Sequence, residues 1–129
     1  MNPRTAAAIF AALGVAHVAI GVWMMLAPGS FYETIATFPP RNDHYTRDLG
    51  TLYVALGAAF GAAARRAAWR GGVLLLAIVQ YTLHLGDHLF DVDVPTEDWV
   101  GPVSAALVAG GLVLLLVVAY VVNRRRRVP

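Results

Sequence analysis

Four residues able to bind a metal or move a proton fall in one short run of the chain: His84, Asp87, His88 and Asp91. On a helix their spacings of three and four place them, with Gln80, along one narrow stripe. Imidazole and carboxylate together suit zinc, iron, manganese, nickel or copper(II). Two histidines at i and i+4 can hold one ion from a single helix face. Such an ion acts as a Lewis acid on water or on a substrate oxygen, with a spare carboxylate as base. The chemistry that follows is metal-assisted hydrolysis or redox work on a small or lipid-like substrate. The alternative is a polar network that only holds helices together.

The other side of the same segment carries Leu75, Ile78, Val79, Thr82, Leu85, Leu89 and Phe90, which suits lipid or packing. The whole chain has that character. Its 129 residues are 58% hydrophobic and 14% charged, with a mean hydropathy of +0.60, more apolar than a soluble domain of this size sustains. Four segments of about 5–27, 47–64, 72–90 and 100–122 are predicted to span a membrane. A short interfacial helix is expected over about 30–38. Ser30 to Glu33 reads as a capping box and Asp43 as a helix cap. The fold class is therefore all-α, an integral membrane four-helix bundle in a single domain.

Charge placement orients it. Arg4, Arg65, Arg66, Arg70 and Arg124 to Arg127 fall at one end of the predicted spans, and the acids fall at the other end or in the outer parts of the helices. The positive-inside rule puts both termini in the cytoplasm. The terminal arginine run reads as a topology anchor beside anionic lipid, with no nucleic-acid partner implied. The chain has no cysteine, which excludes disulfide exchange and thiolate metal sites.

Two further residues bear on the site. His17 lies in the first span between Gly14 and Gly21, whose lack of side chains lets another helix come close. His17 is twelve residues beyond Thr5, and His84 is twelve beyond Gly72. At about 1.5 Å per residue both stand roughly 18 Å above their helix starts. They are expected to face each other, either supporting the metal shell or ligating haem axially in an electron-transfer protein. Asp48, at the start of the second span, is expected level with Asp87 and Asp91, with Arg47 beside it to pair an acid. Gly57 and Gly61 form a GxxxG spacing suited to tight helix contact.

The motifs His44-Tyr-Thr-Arg-Asp-Leu-Gly and His84-Leu-Gly-Asp-His-Leu-Phe-Asp, preceded by Pro28-Gly-Ser-Phe-Tyr, resemble small uncharacterised four-helix membrane proteins of actinobacteria. The resemblance covers essentially the whole chain. It implies the four-helix fold and a multi-pass place in the bacterial cytoplasmic membrane, and it brings no activity. Expected partners are membrane lipid and either further copies of the chain or a larger membrane complex, in which the polar stripe of an accessory subunit would meet its neighbour.

Overall fold

The first helix, α1, begins where Asn2 accepts a hydrogen bond from the Arg4 amide at 3.0 Å and Pro3 supplies the first-turn geometry. It runs over Pro3–Leu26 in the computed structural model, which describes residues 2–124. Arg125 to Arg127, most of the basic run, lie outside the described residues. Pro28 breaks the path and opens the seven-residue α2, Pro28–Thr34. Ser30 therefore sits inside α2, where its carbonyl accepts from Thr34 Oγ1 at 2.7 Å, and the expected capping box does not form.

Helix α3, Asp43–Arg65, starts one turn earlier than its hydropathy suggests. The cap is Asn42, whose side chain accepts from the His44 and Tyr45 amides at 3.1 and 3.2 Å, leaving Asp43 in the first turn. A 3-10 turn over Ala67–Trp69 leads into α4, Arg70–Phe90, and α5 is Val100–Arg124. Arg70 closes the turn: its Nε donates to the Ala63 carbonyl at 3.1 Å, satisfying the end of α3, and its guanidinium lies 5.5 Å from the Phe10 ring.

Helices α1 and α3 run antiparallel and pack by reciprocal glycine contacts. A Cβ added at Gly21 would stand 2.6 Å from the Gly50 carbonyl oxygen, and one at Gly50 would stand 2.8 Å from the Gly21 carbonyl oxygen. Gly14 and Gly57 repeat the arrangement two turns away, at 2.9 and 2.8 Å. The two backbones touch at both levels, which only glycine permits. Gly61 also adjoins α1, its backbone nitrogen 3.2 Å from where a Gly14 Cβ would stand, although a Cβ on Gly61 itself would meet nothing within 4 Å.

The remaining helices pack as a second antiparallel pair, α4 on α5. At the end holding the α3–α4 turn the two pairs close on a core of Phe10, Phe60, Ala63, Leu74, Ala77 and Leu115. At the opposite end they part, and α2 with the segment after it lies over the gap. Among the described residues, three helices are long and apolar enough to cross a membrane: Pro3–Leu26, Ala67–Phe90 and Val100–Val122. Their outward residues, among them Leu75, Val79, Val113 and Leu114, are exposed, as suits a lipid-facing surface. Helix α3 is of similar length but carries Asp43, Arg47, Asp48 and Arg65.

Arg41 pins the cover in place. It holds Asp43 through two bonds of 2.6 and 3.0 Å and reaches Glu33 of α2 at 3.5 Å, its guanidinium lying across Gly29. Arg41 thus plays the pairing role expected of Arg47. Its hydrogen bond, and then its charge, hold the Asp43 carboxyl below the usual range. A depressed carboxyl stabilises its pair above the ordinary carboxylate pKa and loses that contribution as pH falls through the folded value. Acid therefore loosens the cover. Arg41→Ala should do so at neutral pH, seen as faster amide exchange confined to α2 and residues 35–38 with global unfolding unchanged.

Candidate functional site

The C-terminal half of α4 turns its polar stripe toward the gap between the helix pairs. His84 and His88, one turn apart, meet with ring centroids 4.6 Å apart in an edge-on arrangement. His88 also lies 5.3 Å from the ring of Phe38, which approaches from the covering segment. Its Nδ1 is buried there with no hydrogen-bond partner. A buried ring nitrogen left unpaired is costly and calls for an explanation. With Asp87 and Asp91, both histidines line a cavity of about 440 Å³. Ile20 and Met24 of α1, Leu49 of α3, and Leu107 and Val108 of α5 give it apolar walls, and Phe31 and Phe38 form its roof.

Beneath the cavity lies a layer built around His17, which is only 4% exposed. Its Nδ1 stands 2.7 Å from the Leu13 carbonyl, and its Nε2 stands 3.3 Å from the Tyr81 hydroxyl. Tyr53 stacks beside the ring at 5.7 Å and Phe60 packs at 5.1 Å. Tyr81 reaches His17 because α5 has Gly111 opposite it; a Cβ there would come within 2.5 Å of the phenol ring. Tyr53 and Tyr81 also line the cavity and so form its floor.

The sequence-predicted residues thus divide. His84, Asp87, His88 and Asp91 share the cavity wall. His17 lies below them, and its partner on α4 is Tyr81, one turn nearer the closed end than His84. Both of its nitrogens are occupied, so in this conformation it is free neither for a metal nor for haem iron. Asp48 stands apart, with its side chain 63% exposed and 3.4 Å from the Nε2 of His44, itself 79% exposed. The reason is rotational: Leu49 and Tyr53 point α3 into the cavity, and Asp48 lies about 100° round the helix from Leu49. The Gln80 Oε1 is buried without a partner and Gln80 does not line the cavity. Among the described residues, no three of the His, Asp and Glu side chains are grouped to hold one ion as they stand.

No family model, curated protein or solved structure matches this chain. What the site can do must come from its own groups. Two imidazoles from adjacent turns supply a pair of nitrogen donors; Asp87 lies within one turn of both and Asp91 within one turn of His88, either able to add an oxygen. Such a set leaves positions for water or a ligand arriving through the cavity. Tyr81 and Tyr53 escaped the sequence reading. Tyr81 was detectable, since it precedes His88 by seven residues and so falls on the same stripe.

Proposed function

We propose that the chain crosses the bacterial cytoplasmic membrane four times with both termini in the cytoplasm. We further propose that His84 and His88 bind a divalent transition-metal ion beside its outward-opening cavity. Asp87 or Asp91 completes the shell, and the other carboxylate acts as base. The ion activates water or a substrate oxygen for hydrolysis or redox chemistry on a small or lipid-like substrate. The observation that carries this reading is the His84–His88 pair on the cavity wall with His88 Nδ1 buried and unpartnered. An ion bound by the pair would compensate the burial of several polar groups at once.

Metal analysis of gently purified protein tests it. Stoichiometric zinc, iron, manganese, nickel or copper is expected, removable by chelator and restored on supplementation. Because binding needs deprotonated imidazole, occupancy should fall on acidification. Wild-type protein that stays metal-free after supplementation removes the proposal.

The topology has its own support in the arginines. Arg4, Arg65, Arg66 and Arg70 belong to the closed end, and Glu33, Asp87, Asp91, Asp93, Glu97 and Asp98 to the cavity end. The positive-inside rule then fixes orientation. Helix α3 crosses too, its backbone sealed against α1 at the glycines. A reporter fused to the C-terminus should score cytoplasmic; an extracytoplasmic signal would overturn the arrangement.

A further inference from the structure

The part of the cavity floor that Tyr81 forms has a defined hydrogen-bond polarity. A carbonyl oxygen only accepts, so the contact of His17 Nδ1 with Leu13 requires the proton on Nδ1. In the neutral imidazole Nε2 is then an acceptor, and the Tyr81 hydroxyl must donate to it. The single phenolic proton is thereby spent downward. What Tyr81 presents to the cavity is an oxygen that can only accept.

The surroundings narrow what such a floor can hold. The lining contains no Lys or Arg among the described residues, so an anion finds no counter-charge. The carboxylates belong to the mouth: Asp87 and Asp91 lie six and ten residues beyond Tyr81, about 9 and 15 Å along the helix. A cation drawn to the floor would leave them behind and be buried unpaired, at high cost. A neutral donor needs no counter-charge. Above the floor the walls of Ile20, Met24, Leu107 and Val108 are apolar, and a cavity of about 440 Å³ is of a size that holds a small organic molecule.

We propose that the cavity binds a neutral lipophile carrying a hydroxyl donor, of the phenol or alcohol class, whose O–H is given to Tyr81, and that His17 sets this preference by fixing the direction of the Tyr81 hydroxyl. Tyr81 is the contact residue and His17 a positioning residue that need not touch the ligand. The inference goes beyond the metal reading and does not require it: metal content tests the histidine pair, and the following test concerns the floor alone.

The probes are 4-heptylphenol and its methyl ether, alike in shape except that the ether has no proton to donate. Their binding is measured to the full chain in nanodiscs against empty nanodiscs of the same lipid. The phenol is expected to bind about tenfold more tightly than the ether. Tyr81→Phe should bring the phenol down to the ether. His17→Leu frees the Tyr81 hydroxyl to donate upward, so the ether gains and the preference collapses. His17→Gln, whose amide can donate to Leu13 and accept from Tyr81, should restore it. Equal binding of both probes by wild type overturns the proposal, as does a preference that survives Tyr81→Phe. If His17→Leu does not fold, Tyr81→Phe and His17→Gln still decide. An independent check is the ¹⁵N shift of His17 Nε2, expected to be that of an unprotonated, accepting nitrogen. A proton on Nε2 refutes the assignment.

Discussion

His84→Ala and His88→Ala are each expected to weaken metal binding by more than about 100-fold. Loss of a residue that merely supports a ligand already costs roughly 10–100-fold, and removing one of only two nitrogen donors exceeds that. The carboxylates should matter unequally, because only one of them needs to enter the shell. Comparing Asp87→Asn with Asp91→Asn therefore separates the ligand from the base: one lowers affinity, and the other leaves affinity but lowers turnover. His44→Ala is the control. Its side chain is exposed and engaged with Asp48 away from the cavity, so metal content should not change. Equal losses from His44 and His88 would point to a general collapse and count against the assignment.

The second large effect belongs to the helix interface. Gly21→Ala places a methyl group 2.6 Å from the Gly50 carbonyl oxygen and 2.9 Å from the backbone nitrogen of Val54. The neighbours are backbone, so α1 and α3 must separate to admit it. Overpacking of this kind costs about 1–3 kcal/mol, and Gly21→Leu should prevent the pair from closing. Gly61→Ala is the matched control, because a Cβ there has open space around it. Denaturant unfolding in detergent should show Gly21→Ala well below wild type and Gly61→Ala beside it. If both variants unfold with wild type, the glycine contacts do not determine the packing.

The helices were legible because hydropathy and length report them directly, and α4's stripe was legible because a period of three and four survives any rotation of the helix. The closeness of α1 to another helix could also be read from Gly14 and Gly21. The partner of His17 could not. Counting residues from the helix starts assumes that those starts are level, and they are not. Arg70, the first residue of α4, already reaches the ring of Phe10, seven residues into α1. That offset brings Tyr81 to His17 and carries His84 outward. Asp48 was misplaced for a different reason: spacing along the axis does not give rotation about it, which depends on which α3 face the glycines commit to α1. Arg41 was overlooked because its partners come from two elements, Glu33 in α2 and Asp43 in α3, and no local spacing joins them.

The reciprocal glycines also bear on how the chain is made. Helix α3 is the long helix with the most charge along it, and its Gly50 and Gly57 fit the backbone of one neighbour, α1. That neighbour is synthesised first, so α3 emerges with its complement already formed. The α4–α5 pair, carrying the histidines, follows onto a surface that is already complete. In biogenesis, then, damage to the glycines should appear early, as failure of α3 to pair with α1. Damage to the histidines should leave a fully assembled helix bundle.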